Sequence, residues 1–408
     1  MQKTIIIIGA GPAGLMAAGI AAENGAKVTV LEKMDQPGKK LLITGKGRCN
    51  LTNIAERNDF LAKFNHPRFL KPAFYQFFNI DLINFFKENG LELKTERGGR
   101  VFPKADNSSS VLSILLSWLK KLNVKIEYHK KVTALLIKNN NIIGVKVNNK
   151  EYLANAVIIA TGGSSYPATG STGDGYTLAK NAGHTIIPIK PALVPLETEG
   201  STAKKLQGLS LKNIKINIWI NNKKAKDYFG EMLFTHFGLS GPIILSASNI
   251  IVPALMQKQN VVVSIDLKQA LDEKTLDIRL QREFQENHKK QFKSILKNLL
   301  PAKLIPICFA QTKIDAEKPG HQISAQERRI LRLWLKDFKF KIINYRPLKE
   351  AIITAGGIDL KEVNPNTMES KILKNLYFAG EVLNIDAETG GYNLQAAFST
   401  GWLAGKNS

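Results

Sequence analysis

The sequence predicts an α/β protein whose parallel sheet draws on both the N-terminal and the C-terminal parts of the chain. Three observations favour this fold. A β-branched run at Thr4–Ile8 leads directly into the glycine-rich turn Gly9–Gly14. Short apolar runs that end in glycine turns return after Ala351. Residues 191–345 have a different pattern, so we expect them to be an insertion into a discontinuous core.

The N-terminal residues predict one strand–helix–strand unit. Thr4–Ile8 is apolar throughout, as expected for a parallel strand that is buried on both faces. Pro12–Asn24 carries Ala, Leu and Met at helical spacing and is followed by Gly25, a typical helix stop. Lys27–Leu31 is the second strand, and Glu32 follows it directly. A βαβ unit of about 30 residues is the expected result.

The rest of the chain is predicted in less detail. Up to residue 190 the expected elements are a polar loop at 33–53, helical structure at 67–90, a helix at Ser109–Leu122, a hairpin of Lys125–Leu136 with Asn141–Val147, and a strand at Ala156–Ala160. Beyond it they are strands at Leu211–Ile220, Val261–Asp266 and Tyr377–Ala379, and a closing helix at Gly391–Ala404. We therefore expect one domain from residues 1–190 and 346–408, a β-rich insertion at 191–269 and a helical insertion at 270–345.

The composition is that of a folded protein with a strong positive charge. The chain has 408 residues and a formal net charge of +23. The charge is uneven, since residues 201–230 hold seven Lys against one Asp, whereas residues 346–408 hold six basic against seven acidic residues. A basic surface attracts RNA, DNA or an anionic membrane. A general preference for Lys in the source proteome is the alternative explanation.

Other features bear on where the protein works. Cys49 and Cys308 are the only cysteines and lie far apart in the sequence, so we expect no structural disulfide. This cysteine usage fits a reducing cytoplasm. No apolar run has the length of a transmembrane helix, and the N-terminal residues lack the layout of a signal peptide. We expect a soluble cytoplasmic protein.

The glycine turn has the spacing of a dinucleotide-binding motif. Gly9 permits the tight turn, Gly11 lets the backbone approach a diphosphate, and Gly14 allows the helix to pack closely on the strand. The helix N-terminus supplies N–H donors to the diphosphate. Glu32 stands where a carboxylate can accept both ribose hydroxyls, and Lys33 beside it favours a ribose without a 2′-phosphate.

Three later segments favour FAD over NAD as the bound dinucleotide. Residues 158–163 (IIATGG) form a strand that breaks at a small glycine turn. Residues 375–381 (NLYFAGE) form a strand that ends in Gly and an acid. Residues 392–395 (YNLQ) start a helix whose free N–H groups suit the pyrimidine edge of a flavin, where negative charge develops on reduction. The expected fold is a Rossmann-type, two-dinucleotide-binding FAD domain with an inserted β-rich domain and a small helical domain.

A set of motifs along nearly the whole chain resembles a known family. The motifs are GAGPAGL at 9–15, KKLLITGKGRCNLTN at 39–53, ATGGSSYPATGSTGDGY at 160–176, FTHFGLSGP at 234–242, TAGGI at 354–358 and FAGEVLNIDAETGGYNLQAAFSTG at 378–401. They resemble the BaiN/RdsA-like family of FAD-dependent oxidoreductases, also called YhiN. The resemblance implies reductive chemistry, with dihydrouridine formation in large-subunit ribosomal RNA for one branch and bile-acid reduction for another.

The resemblance also implies cofactor-binding residues. Those expected along the diphosphate, ribose and adenine are Gly9, Gly11, Gly14, Glu32, Lys33 and Val132. Those expected along the flavin and its phosphates are Lys40, Thr44, Gly45, Gly47, Arg48, Cys49 and Asn50. Those expected beneath the cofactor and at the ribityl and pyrimidine side are Thr161, Gly162, Gly380, Glu381, Asn393, Leu394 and Gln395.

The expected reaction is a hydride transfer through FAD. Only one complete nucleotide motif is present and there is no C-x-x-C pair, so we expect NAD(P)H as a transient hydride donor and no disulfide reductase chemistry. Reducing a uracil double bond also needs a proton donor. Cys49 is the first candidate, with a pKa that Lys46 and Arg48 would lower, and His236 is the second. The alternatives are a packing role for Cys49 and a hydrogen-bonded core position for His236. The His and Cys spacing predicts no metal site.

The basic part of the insertion is the candidate RNA surface. Its lysines are Lys204, Lys205, Lys212, Lys215, Lys223, Lys224 and Lys226, with Trp219, Tyr228 and Phe229 available to stack on bases. A strand with one buried and one solvated face gives the same pattern without binding anything. Three functions stay open: an RNA-modifying flavin reductase, a small-molecule flavin oxidoreductase acting on an enoyl or amine substrate, and a flavin-bound RNA or membrane-surface protein without turnover.

Overall fold

The predicted parallel sheet is present in the computed structural model, which describes residues 2–408. The strands, in order, are β1 (Thr4–Ile8), β2 (Lys27–Leu31), β3 (Thr52–Asn53), β4 (Leu93–Glu96), β5 (Arg100–Pro103), β6 (Lys125–Glu127), β7 (Val132–Lys138), β8 (Asn141–Val147), β9 (Lys150–Leu153), β10 (Ala156–Ile159), β11 (Ile186–Ala192), β12 (Leu196–Thr198), β13 (Ser210–Ile220), β14 (Lys223–Phe234), β15 (Gly238–Ser240), β16 (Val261–Asp266), β17 (Phe338–Tyr345), β18 (Ile353–Ile358) and β19 (Leu376–Phe378).

The helices complete the two units into which the chain divides. They are α1 (Pro12–Glu23), α2 (Lys39–Ile43), α3 (Arg57–Leu61), α4 (Pro67–Gln76), α5 (Asn79–Glu88), α6 (Ser108–Lys121), α7 (Asp174–Asn181), α8 (Thr202–Lys205), α9 (Pro242–Met256), α10 (Glu273–Glu286), α11 (Phe292–Ile295), α12 (Leu304–Thr312), α13 (Ala325–Lys336) and α14 (Tyr392–Asn407). Unit 1 runs to Ala192 and resumes at Pro347–Ser408, and unit 2 is Leu193–Arg346.

Unit 1 is built on a five-stranded parallel sheet in the order β19-β10-β1-β2-β6. Its central strand β1 is almost entirely buried because both faces of the sheet are covered. A three-stranded antiparallel sheet, β7-β8-β9, a second one, β3-β5-β4, and the ribbon β11-β18 complete the unit. The prediction of a Rossmann-type core formed by both parts of the chain is confirmed.

Unit 2 is a closed six-stranded barrel in the order β12-β15-β14-β13-β16-β17, with helices packed on it. The expected boundary at 269/270 does not separate two units, because Leu276 and Leu280 of α10 and Leu331 and Leu335 of α13 share one apolar core with the barrel strands. The expected helical region also contains a strand, β17. Phe338, Phe340 and Ile342 of this strand alternate with exposed lysines, which is a period of two.

Three further predictions were wrong in detail. The loop expected at 33–53 contains the short helix α2. The helical stretch at 67–90 is two helices, separated where Phe77 is extended and Asp81 accepts a hydrogen bond from the Phe78 N–H. The strand expected at Lys125–Leu136 is also two elements. β6 joins the parallel sheet and β7 a separate one, because the chain turns between them at His129, whose φ is +55°.

Candidate functional site

The carboxyl ends of β1, β2 and β10 meet at one edge of the unit 1 sheet. Gly9 follows β1 with a φ of +103° and donates its N–H to the Leu31 carbonyl at 2.9 Å. A Cβ on Gly9 would lie 2.7 Å from the Ala160 carbonyl oxygen, and a Cβ on Gly14 would lie 2.0 Å from that of Gly9. A Cβ on Gly11 would meet nothing within 4 Å. Two of these glycines therefore allow close packing, and the third leaves space at the N-terminus of α1.

Glu32 lies beside this turn with its carboxylate held by the backbone. One oxygen accepts a hydrogen bond from the Ala10 N–H and the other from the Met34 N–H, each at 2.8 Å. Each carboxylate oxygen keeps a further lone pair for a ribose hydroxyl. Lys33 donates to Asp174 at 2.5 Å and to Thr172, so its ammonium group is already paired with a carboxylate. The open space at the N-terminus of α1, with the Glu32 carboxylate fixed beside it, fits the adenosine diphosphate half of FAD.

Two segments of unit 1, residues 38–50 and 380–391, run from the glycine turn to the N-terminus of α14. The first begins where the Gly38 N–H donates to the Ala10 carbonyl at 2.9 Å. It ends at Asn50, whose side-chain amide lies 3.0 Å from the Gly391 nitrogen and accepts from its N–H when the amide oxygen is turned towards it. The second begins at Gly380, where a Cβ would lie 2.8 Å from that of Ala13 in α1, and ends at Gly391 itself. An extended ligand that starts at the glycine turn would lie along both segments.

A salt bridge joins the two segments. The Lys40 ammonium donates to Glu381 and to the Ser165 hydroxyl, at 2.7 Å in each case. Glu381 also accepts from Ser165 at 3.1 Å and from the Thr354 N–H at 2.8 Å. Sequence reasoning missed Ser165 and Thr354 as site residues, although both lie in motifs that carry the family resemblance. Their only signal is their position in small, glycine-rich turns.

The loop that follows α2 has an unusual backbone. Gly45 and Gly47 have positive φ values, and so do Lys46 at +60° and Cys49 at +59°. Left-handed conformations at non-glycine residues cost on the order of 1 kcal/mol each and persist only where the surroundings enforce them. The Thr44 hydroxyl helps by donating to the Leu41 carbonyl at 2.7 Å. This loop is the strained part of the candidate site.

The expected effect of cations on Cys49 was wrong. Arg48 donates to Glu96 and Asp106, and its guanidinium lies over the Phe102 ring at 4.3 Å, so its charge is neutralised away from the thiol. Cys49 itself is fully buried, and burial raises the pKa of its thiol to about 12. The group is a neutral thiol at physiological pH. This environment agrees with the packing alternative for Cys49.

His236 lies in unit 2, in the turn between β14 and β15. Its side chain is exposed, and its ring packs edge-on against Phe237 with 4.9 Å between the ring centroids. The alternative of a core histidine was therefore wrong. Residues 2–408 contain no group of three or more His, Cys, Asp or Glu side chains that could hold a metal ion.

The remaining predicted residues lie at the start of β7, after β10 and in the first turn of α14. Val132 is buried at the start of β7, and Thr161 and Gly162 follow β10. Asn393 in the first turn of α14 accepts from the Ala387 N–H at 3.0 Å and donates to the Ala387 carbonyl at 3.1 Å. Leu394 is half-buried beside it. Gln395 is buried and accepts from the Thr52 hydroxyl at 2.6 Å, which gives it a supporting role behind the helix end.

The candidate RNA surface of unit 2 is divided into paired and unpaired lysines. Lys215 and Lys224 both bind Asp227, with N–O distances of 3.0 Å. Lys226 lies over the Tyr228 ring at 4.8 Å. The four lysines with no ion pair within 4.0 Å among residues 2–408 are Lys204, Lys205, Lys212 and Lys223. Of the three aromatic residues proposed for stacking, Trp219 and Tyr228 are half-buried and Phe229 is 52% exposed.

The fold and the site define an FAD-binding oxidoreductase of the Rossmann type. The chain belongs to the HI0933-like family, since the family described as "HI0933-like protein Rossmann domain" matches residues 3–407. The resemblance recognised in the sequence motifs is thereby confirmed. Within residues 2–408 no helix is long and apolar enough to cross a membrane.

Curated relatives match over their full length. The chain is 32% identical over 407 residues to the 3-dehydro-bile acid delta(4,6)-reductase of Clostridium scindens, covering 99% of this chain and 98% of the relative. It is 32% identical over 400 residues to the ribosomal RNA dihydrouridine synthase of Haemophilus influenzae, covering 97% and 96%. The enzyme of that name from Escherichia coli is 28% identical over 403 residues, covering 98% and 97%.

A solved structure has a related fold. It is the 3-ketosteroid delta1-dehydrogenase of Sterolibacterium denitrificans, in complex with 1,4-androstadiene-3,17-dione. The TM-score is 0.50 at 10% sequence identity, and the match covers 99% of each chain. At this identity the likeness is one of fold alone.

Proposed function

We propose that this protein is an FAD-dependent reductase that uses NAD(P)H to reduce the 5,6-double bond of uridine in large-subunit ribosomal RNA. The observation that carries the flavin-dependent class is the space above Gly11 at the N-terminus of α1, with Glu32 beside it and two segments leading to α14. Full-length relatives named ribosomal RNA dihydrouridine synthase and the net charge of +23 support the RNA substrate. Such a substrate requires a cytoplasmic enzyme.

The residues of unit 1 suit the parts of FAD in turn. The N–H groups of the first turn of α1 would bind the diphosphate and Glu32 the ribose. Lys40 and Glu381 would face the ribityl chain, and the first turn of α14 would donate N–H groups to the pyrimidine edge. When bound, FAD supplies a two-electron carrier between a reduced nicotinamide and a carbon–carbon double bond. Because the chain has one nucleotide motif, NAD(P)H would bind transiently.

The RNA must also be held while one base leaves its stack. Exposing a base costs a few kcal/mol, which contacts to the phosphate backbone offset. The unpaired lysines Lys204, Lys205, Lys212 and Lys223 are the proposed phosphate contacts, and the exposed Phe229 is the proposed stacking residue. The lysines that already bind Asp227 contribute less, since a paired cation attracts a phosphate less strongly.

A second function is favoured by the Clostridium scindens relative. Its name assigns it a bile-acid substrate, and its identity to this chain equals that of the Haemophilus influenzae enzyme at 32%. The same site would then reduce a conjugated double bond of a small molecule. A small-molecule reductase would turn over a free compound and be indifferent to RNA, whereas an RNA reductase would bind RNA with a steep dependence on salt.

Mass spectrometry of ribosomal RNA nucleosides distinguishes the two functions. We expect dihydrouridine to be lost from large-subunit ribosomal RNA when the gene is deleted and restored by the wild-type gene. A Gly11→Val variant, which fills the space for the diphosphate, should not restore it. Unchanged dihydrouridine in the deletion strain would reject the RNA function. The purified protein should then be assayed with NADPH and a bile acid that carries 4,6-double bonds.

A further inference from the structure

A buried carboxyl group lies in the segment that leads to α14. Asp386 is 2% exposed, and its side chain accepts a hydrogen bond from the Asn65 amide. Its position is also fixed through the backbone. The Asn65 N–H donates to the Asp386 carbonyl at 3.1 Å, and the next residue, Ala387, is held from both sides by Asn393 of α14. The carboxyl group therefore stands on a rigid support beside the N-terminus of α14.

The charged groups around Asp386 come from several elements. Burial raises the pKa of the Asp386 carboxyl, and the hydrogen bond from Asn65 opposes this effect. Lys190 on β11 and His66 before α4 also lower the pKa, whereas the negative charge of Glu381 raises it. His66 is exposed, so the group has a titratable neighbour in contact with water. Asp386 is thus a buried carboxyl group with charged neighbours of both signs.

We propose that Asp386 is the proton donor of the reduction, a role that rests on the proposed function. Hydride adds to one carbon of the double bond, and the Asp386 O–H bond breaks as a C–H bond forms at the neighbouring carbon. The carbon–carbon double bond becomes a single bond, and the reduced nicotinamide supplies both electrons. The Asp386 carboxylate then regains a proton from solvent.

The geometry favours Asp386 over the two donors considered from the sequence. Cys49 holds its proton too tightly, since its thiol has a pKa of about 12. His236 belongs to unit 2, whereas Asp386 lies in the same segment as Glu381 and Gly391. A purely structural role for Asp386, in which it ties residues 63–66 to residues 384–388, is the competing explanation that the experiment must separate.

The first test compares Asp386→Asn with Asp59→Asn, an exposed control in the same unit. Asparagine keeps the shape of the side chain and cannot give up a proton. We expect both variants to retain bound FAD and to be reduced by NADPH within about twofold of the wild-type rate. Asp386→Asn should reduce uridine in a transcript of large-subunit ribosomal RNA at least about 100-fold more slowly, as is typical when a general acid is removed. Asp59→Asn should be unchanged.

The second test uses Lys190→Met, which removes a positive charge near Asp386 without touching the carboxyl group. Because that charge lowers the pKa of Asp386, its removal should raise the pKa. The rate should then decline with pH at a higher pH than in the wild type, since the acid stays protonated longer. A structural role would not move the pH profile in this way. The proposal is overturned if Lys190→Met leaves the pH profile unchanged and Asp386→Asn retains full activity.

The third test does not need the substrate. At a pH high enough to ionise Asp386, replacing it by Asn removes a negative charge from the segment proposed to hold the flavin. The midpoint potential of the bound flavin should then become less negative at that pH, and Asp59→Asn should not change it. A shifted potential in a protein that leaves RNA uridines unreduced would reject the RNA substrate and support the location of Asp386. An unshifted potential in a protein that reduces RNA would reject Asp386 and support the proposed function.

Discussion

Gly11 and Gly14 stand in the same turn, yet an added methyl group would meet different surroundings at each. The backbone of Gly11 is extended, and the space beside it is open. Gly11→Ala should therefore leave the unfolding temperature of the FAD-free protein unchanged while weakening FAD at least about tenfold, or 1.4 kcal/mol. Gly14→Ala places a Cβ 2.0 Å from a carbonyl oxygen and should cost about 1–3 kcal/mol of stability.

Thermal unfolding with and without FAD, together with FAD titration, measures both effects. The two variants serve as controls for each other, because they add the same methyl group to neighbouring positions. Equal destabilisation of the FAD-free protein by both would mean that the space above Gly11 is not a ligand space.

The buried thiol of Cys49 makes stability depend on alkaline pH. Its pKa rises from an ordinary value of 9.0 to about 12 on folding, so the folded protein keeps a proton that the unfolded chain releases. The contribution of Cys49 to the free energy of unfolding should be constant below pH 9 and fall as the pH rises towards 12. Cys49→Ala should show a shallower decline in urea denaturation measured from neutral to alkaline pH. Parallel curves for the two proteins would contradict this prediction.

At the residue scale, the sequence predicts site residues whose positions are fixed by their spacing within one short motif. Gly9, Gly14 and Glu32 could be predicted because the βαβ motif fixes their positions relative to one another. Asp386 and Ser165 could not be predicted, because their hydrogen-bond partners, Asn65 and Glu381, are far away in the sequence. The expected lowering of the Cys49 pKa was wrong, because neighbours in the sequence say little about where the Arg48 guanidinium lies.

At the scale of elements, the close packing of α1 against α14 sets the positions of the two helix ends that are proposed to face the flavin. A Cβ on Gly401 would lie 2.3 Å from the Ala13 carbonyl oxygen, and one on Gly405 would lie 2.4 Å from that of Ala17. Gly401→Ala should push the helices apart and cost about 1–3 kcal/mol of stability. It should also weaken FAD binding, because the N-terminus of each helix is proposed to face the ligand. Unfolding temperature and FAD titration measure this, and Lys406→Ala on the exposed side of α14 is the control.

Element types followed from periodicity, and the errors have a common cause. The closing helix was predicted within a few residues because Ala, Leu and Gly recur at helical spacing. The strand Phe338–Tyr345 was missed because it follows an amphipathic helix directly, with only Asp337 between them. The break at Phe77–Phe78 was missed because aromatic residues continue across it. Where one helix or strand follows another with no Gly or Pro between them, the sequence pattern does not show where the first ends and the second begins.

The net charge of the whole molecule predicts how RNA binding depends on salt. Replacing the four unpaired lysines Lys204, Lys205, Lys212 and Lys223 by Ala should lower the slope of log affinity against log salt by roughly three, since each phosphate contact contributes about 0.7–0.9. Lys215→Ala with Lys224→Ala should change the slope less, because these two lysines share the carboxylate of Asp227, which offsets part of their charge. Fluorescence anisotropy with a labelled fragment of large-subunit ribosomal RNA measures the slope.

The matched set of lysines makes this result informative. Equal losses from the paired and the unpaired lysines would show that ion pairs within unit 2 do not determine where RNA binds. A wild-type protein with no salt-dependent RNA binding would favour the small-molecule function instead.

The division of the chain into two units has a consequence for its synthesis on the ribosome. Unit 2 is one continuous stretch with its own apolar core, so it can fold as it emerges. Unit 1 must wait until β19 and α14 have also emerged, because these elements follow unit 2 in the chain. A chain that has emerged only as far as unit 2 therefore lacks the helix end that would meet the flavin ring. We expect such a chain to bind FAD weakly, so that tight binding of the cofactor begins only when β19 and α14 have joined unit 1.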